Sequence, residues 1–521
     1  MVNGRTARGF WCGASGETRR RGALAAFGFL AAALLPACSA EVEIERSPAM
    51  HADGLYRGLF VGGSKPDGTF VLAQHELAPG NEELVLVSLA EGEKRTCSLG
   101  KAFFYHTAQP QPPPEFGVSE PFVDPRPTRI LTLEGELGAE SGDLRVFDAS
   151  CVERMRVPSV EAPVQIIGGS TPRAYTAQTT SGEVVVIDPW ADSVRTIAES
   201  ASFWQYRQDK FWLIEGGRLV VRDLDGNILQ TAGEGVTEVA VPYSGDEAAY
   251  VDATGLWVLE SGDPGPIAIP TTAAPCKPQY GLGGAPLKLI YRDDCAAGVL
   301  AVLDRETGDT RLFSSGVTSA YAANHITMSW VFFEREEPGK KRELWAIQGA
   351  GEPMLVGTNP SPTWFAWPRK EDFLVELDHD GATATLGNWT PEGGFAPLLE
   401  NFWDGWAGMK GYFPTLTDPE EDLGTLVVLD TTTLTEALRI PGVHRMTPDF
   451  VTQGRTLRYI HDWDDALGAG TFGAWVPATG KQLDVDTGVT ESGELFWPEP
   501  GVVYAVRTPE RVGIWTAYPE L

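Results

Sequence analysis

Leu300-Ala-Val-Leu-Asp-Arg-Glu-Thr-Gly-Asp-Thr-Arg-Leu312 sets four apolar residues before a cluster of three acids, Asp304, Glu306 and Asp309, and a glycine. Seen alone, the acids look like ligands. The same order, an apolar run followed by a polar turn, recurs along the chain. Clear copies are 143–148, 183–188, 218–223, 255–260 and 425–430; looser ones are 83–88, 343–348, 383–388, 472–476 and 511–515. With the stretch quoted above they make eleven, most of them 35 to 47 residues apart. A strand-built repeat near 40 residues is the signature of a propeller blade. Each run is continuous rather than alternating, as a strand covered on both faces requires. The recurring acid is then a turn residue, and Gly308 supplies the left-handed conformation that reverses the chain.

The reading is therefore an all-β chain, a β-propeller of about eleven units with three or four strands each, arranged as one large ring or as two propellers. The 521 residues, with 58 Gly and 38 Pro but only 21% charged, suit many short strands and tight turns. No amphipathic, capped 15-residue window follows residue 38, so helix should be scarce. The last unit has little room for an outer strand before Leu521, and a strand taken from the residues after Cys38 could complete it.

Ser244-Gly-Asp-Glu-Ala-Ala-Tyr-Val-Asp-Ala-Thr-Gly-Leu-Trp-Val-Leu259 resembles the strand, turn and strand of TolB-like and related WD40-like propellers, and Ser64-Lys-Pro-Asp-Gly-Thr69 echoes its turn. The resemblance implies the architecture; it does not specify an activity.

Residues 1–37 read as an export signal. Arg19-Arg20-Arg21 precede the apolar run Ala23–Leu35, which leads into Leu35-Pro-Ala-Cys38. This order resembles the lipobox of bacterial lipoproteins, which implies lipidation of Cys38, a tether over 38–55, and a repeat region over 56–521. The expected location is the cell envelope, on the periplasmic or cell-surface face of the outer membrane. Removing 1–37 takes away five Arg and one Glu, so the net charge goes from −30 to −30 − (+4) = −34. Such a field repels phosphate backbones and anionic head groups, so nucleic acid is excluded as a partner and membrane attachment must come from the lipid.

Four other cysteines remain. Cys276 and Cys295 flank a segment centred on Gly283-Gly284-Ala285-Pro286; if that centre is a hairpin turn, the two thiols meet at its open end, and a disulfide is expected. Cys97 and Cys151 pair by elimination.

The catalytic signatures are missing: no G-x-S-x-G in the mature chain, no HExxH, no CxxC, no Walker loop. No cofactor is indicated. Calcium is the one ion the acidic clusters could take, at Asp223–Asn227, at Asp378–Gly381, or at His461, Asp462, Asp464 and Asp465, although strand-connecting turns call for the same residues. Aromatic residues concentrate at Trp364 and Trp367 and at Trp403 and Trp406, which either stack on a sugar or partner surface or pack between blades. The glycine-rich 402–413 segment is expected to be a loop. The leading expectation is a non-catalytic scaffold for an envelope protein or glycan partner; the alternative is an enzyme acting on glycans at the central channel.

Overall fold

A computed structural model describes residues 49–517. Outside the description lie 1–48, 65–67, 79–80, 90–95, 108–125, 136–138, 168–172, 243, 263–264, 281–287, 306, 314–315, 326–327, 349–350, 362–365, 369–371, 406–410, 449–455, 496–500 and 518–521. All eleven apolar runs form strands, and no helix occurs among the described residues. Each run is the third strand of an antiparallel four-stranded blade. The separate sheets supply five blades, the seven-stranded sheet two and the thirteen-stranded sheet four, giving eleven. In chain order the blades lie at 56–100, 102–157, 160–198, 203–232, 238–269, 276–312, 317–358, 366–399, 402–440, 443–487 and 489–517, numbered 1 to 11 from here on. Third strands are buried on both sides, as Val184–Asp188 illustrates, because each blade is sandwiched between two others.

Two blades merge into one sheet wherever the last strand of one continues as the first strand of the next. Glu153–Ile167, Gly394–Gly405, Glu436–Pro448 and Lys481–Leu495 do this. The switch falls at Val160, Phe402, Val443 and Val489, which pair with strands on both sides. The residue before each switch takes a positive φ: Ser159 at 53°, Asn401 at 53°, Gly442 at 66° and Gly488 at 71°. A single left-handed residue bends the strand from one blade plane to the next without ending it. At Gly488 a side chain is also sterically blocked, since a Cβ there would stand 2.3 Å from the Thr508 methyl.

One apolar cluster lies between each successive pair of blades. Leu131, Leu144 and Val146 of blade 2 meet Tyr175, Val185 and Ile187 of blade 3, for example, and Trp330 and Phe332 of blade 7 meet Phe373 and Trp389 of blade 8. Each such side chain contributes about 1.5–3 kcal/mol on burial. The series closes on itself: Val503, Ala505 and Ile514 of blade 11 pack against Val71, Ala73, Val85 and Val87 of blade 1. The repeats therefore form one ring. Its final blade is completed by Ala49–Ala52, which pairs antiparallel with Gly513–Ala517, as the missing outer strand required. That strand comes from within the segment read as a tether, and His51 Nε2 fixes it by a 2.8 Å hydrogen bond with Thr516 Oγ1.

Both expected disulfides are present. Cys276–Cys295 ties the first strand of blade 6 to the turn after its second strand, and the two strands do form an antiparallel hairpin; 283–286 lies outside the description. Cys97–Cys151 joins the outer strand of blade 1 to a turn of blade 2. One expectation needs correction. Phe402 to Gly405 and Tyr412 to Phe413 belong to strands, the first and second of blade 9, and not to a loop. Phe402 and Phe413 are core residues, and glycine-rich spacing concealed their pairing.

Candidate functional site: the axial wall and the outer rim

Many charged groups are consumed in holding the turns and repeats together. The acid closing a strand folds back on its own turn. Asp304 Oδ1 accepts the Thr307 N–H at 3.2 Å while Gly308, at φ 79°, donates to the Asp304 carbonyl at 2.8 Å, which settles the stretch that opened the sequence as a turn. Asp148, Asp188, Asp223, Asp380, Asp430 and Asp464 each accept two backbone N–H groups in the same way. The Asn227 amide, with the backbone N–H groups of Asn227 and Asp225, holds Asp223 below the usual carboxylate range. Backbone N–H groups of Thr383 and Ala382 do the same for Asp380.

Cations serve as straps between blades. Arg305, on the turn of blade 6, grips Glu247 of blade 5 through one edge of its guanidinium, Nε to Oε1 at 3.0 Å and Nη2 to Oε2 at 2.8 Å, and the same Nη2 reaches Glu260 at 2.7 Å. Arg195 reaches from blade 3 to Asp225 of blade 4, Arg311 from blade 6 to Glu352 of blade 7, and Arg507 from blade 11 to Glu76 of blade 1.

Neighbouring blades approach each other through their first strands, as Tyr56–Ser64 and Lys481–Leu495 show, which places those strands nearest the axis. Side chains from one first strand bind the backbone of the next. Glu491 accepts from the Gly58 and Leu59 N–H groups, Glu238 accepts from Lys277, and Gln279 Nε2 donates to the Ala320 carbonyl at 2.7 Å.

Beside this wall sits a carboxyl raised strongly by burial, the one so raised among the described residues. Glu376, on the second strand of blade 8, is 9% exposed. Burial pushes it up to about 7, and the charge of Asp404 on the first strand of blade 9 adds to the rise, against a hydrogen bond from Ser361. The buried acids on the second strands of blades 6 and 7 are each partnered. Asp293 accepts from Thr272, and Glu334 is paired with Arg342 at 3.0 Å. Glu376 shows no ion pair with a cation in the described structure, so it holds a proton near neutrality. The signal was visible as an acid inside the apolar run Phe373-Leu-Val-Glu-Leu377.

Of the aromatic candidates, Trp367 and Trp403 are half-buried. Trp367 meets Phe413 edge-on at 5.1 Å, and Trp403 packs on the cluster around Leu416 and Leu426. Trp364 and Trp406 lie outside the described residues, as does Cys38. In the proposed metal cluster, His461 Nδ1 stands 3.0 Å from Asp462 and Nε2 3.1 Å from Asp484, while Asp464 caps its turn. Among the described residues no group of three or more His, Cys, Asp or Glu is arranged to hold a metal ion.

The outer rim carries what the sequence did not disclose. Val194, Ile228, Leu229, Ile267, Leu312 and Leu355 are 42–58% exposed, and all sit on the outermost strands of the consecutive blades 3 to 7. Among the described residues no comparably exposed large aliphatic occurs in blades 8 to 11. An exposed aliphatic on an outer strand reads like a core one in sequence, so no motif could have revealed it.

No protein family and no curated protein matches the chain. Solved structures resemble it only distantly. A eukaryotic initiation factor is 11% identical with a TM-score of 0.39, over 65% of this chain and 90% of that one. The dihydro-heme d1 dehydrogenase NirN is 13% identical with a TM-score of 0.35, over 73% and 77%. BamB from Moraxella catarrhalis is 10% identical with a TM-score of 0.27, over 75% and 92%. The strand pairings, not these likenesses, define the fold, and a propeller fold by itself does not specify an activity.

Proposed function

We propose that this chain is a non-catalytic scaffold of the cell envelope, anchored by lipid at Cys38, whose ring binds other envelope proteins at its rim. One observation carries the reading. Turn caps and blade straps consume many of the charged side chains, while exposed aliphatic residues gather along five adjacent blades. The two disulfides are consistent with a compartment outside the cytoplasm. Cross-linking of the lipid-anchored chain in intact envelopes tests the proposal: it expects a small, reproducible set of protein partners, and their absence would contradict it.

A second reading, an enzyme acting on envelope glycans, is favoured by one feature, the proton-holding Glu376 with Asp404 nearby and Trp367 and Trp403 on neighbouring strands. It requires glycan cleavage that both Glu376→Gln and Asp404→Asn abolish. Cleavage unaffected by either change would dismiss it.

A further inference from the structure

We infer that the outer edges of blades 3 to 7 bind extended, aliphatic polypeptide segments by strand addition, with the edge of blade 4 as the principal site. This rests on the scaffold reading and names the class of partner.

The outermost strands in question are Ser193–Ala198, Ile228–Ala232, Ile267–Ile269, Thr310–Leu312 and Met354–Thr358. Each stands at the end of its sheet, so among the described residues one side of its backbone pairs with no other strand. Sheet edges are ordinarily guarded by charge, because an open edge recruits strands from other chains. Blades 9 and 10 follow that rule: their outer strands carry Glu436, Asp484 and Asp486. The five strands of blades 3 to 7 carry neither Asp nor Glu, in a chain with 71 of them. Their only cations, Arg195 and Arg311, are neutralised by Asp225 and Glu352. The exposed aliphatic residues of blades 3 to 7 thus sit on strands without carboxylates, where a neutral segment meets no buried or like charge on the strand itself.

Geometry selects the occupant. Successive blades turn by about 33°, a full circle shared among eleven. A flat surface, whether a bilayer or the face of a folded protein, therefore meets one or two edges at most. An extended segment needs only one. Its backbone pairs with the edge, and its aliphatic side chains cover those already exposed. Blade 4 offers most, because Ile228 and Leu229 are both exposed on the one strand, and an added strand covers both of its faces.

The test uses the soluble mature chain and a fluorescein-labelled, uncharged ten-residue peptide of alternating Val and Thr. A second peptide of the same length, with Pro at alternate positions, cannot pair. Fluorescence anisotropy should show saturable binding of the first peptide and at least tenfold weaker binding of the second. Ile228→Glu with Leu229→Glu should weaken the first peptide at least tenfold, whereas Leu77→Glu, on an exposed residue of blade 1, should leave it unchanged. Circular dichroism and Tm confirm that the variants remain folded. Equal binding of both peptides, no binding, or binding indifferent to the double substitution overturns the inference. So does sedimentation showing that the arc is covered by a second copy, or flotation with neutral vesicles that the double substitution abolishes. Failure here is separable from failure of the scaffold reading: cross-linked envelope partners that persist in the double variant would refute strand addition while retaining the scaffold.

Discussion

Replacing Glu376 by Gln should stabilise the protein, and only above mildly acidic pH. The carboxyl is 9% exposed, and burial raises it to about 7, whereas an ordinary glutamate titrates near 4.5. Between these values the folded chain keeps a proton that the unfolded chain has released. Stability must then fall as pH rises, by up to 1.36 kcal/mol for each pH step, and about 3 kcal/mol in all. Below pH 4.5 both states are protonated and the contribution vanishes. Gln copies the shape of the neutral acid and cannot ionise, so the variant escapes the loss. The assay is urea unfolding of wild type and variant from pH 4 to pH 8, read as their difference so that other titrations cancel. The variant should match wild type at pH 4 and exceed it by about 3 kcal/mol at pH 8. A difference that is constant, or that grows towards acid, would refute the reasoning.

Arg305→Ala strands Glu247 without its cation in a nearly buried place, and urea unfolding should register a loss of about 3 kcal/mol; Arg305→Met with Glu247→Leu should recover most of it. Gly442 and Gly488 both take positive φ, but only Gly488 is sterically blocked, so Gly442→Ala should cost about 1 kcal/mol and Gly488→Ala at least twice that, with Thr508→Ser restoring most of the excess. Removing Cys97–Cys151, which closes 54 residues, should cost about 4 kcal/mol, and removing Cys276–Cys295, which closes 19, about 3; thiol titration of the unreduced, denatured chain should find none of these four cysteines free.

The third strand of every blade was legible because it is paired on both edges and covered on both faces, conditions that only an unbroken apolar run satisfies. Val184–Asp188 and Leu423–Asp430 show this plainly. First and fourth strands were less legible. Glu238–Ala240 and Thr310–Leu312 are three residues long and partly exposed, so solvent permits almost any composition. The closing strand Ala-Met-His-Ala has no β pattern of its own, and its place followed only from the outer strand that blade 11 lacked. Site chemistry was harder still. Asp304 and Glu376 are both acids after or within apolar runs, yet one caps an exposed turn and the other is buried, a difference made by distant residues. The exposed rim depended on ring order, since Ile228 and Leu312 become neighbours in kind only once their strands are known to be outermost.

The single closed ring is the claim on which the rest depends, because the rim arc, the blade straps and the N-terminal closure all presuppose it. Electron microscopy of the mature chain viewed down the axis tests it most directly. The averages should show eleven radial blades around one channel, with blade 11 adjoining blade 1. Two smaller rings, or an arc open between the first and last blades, would contradict it.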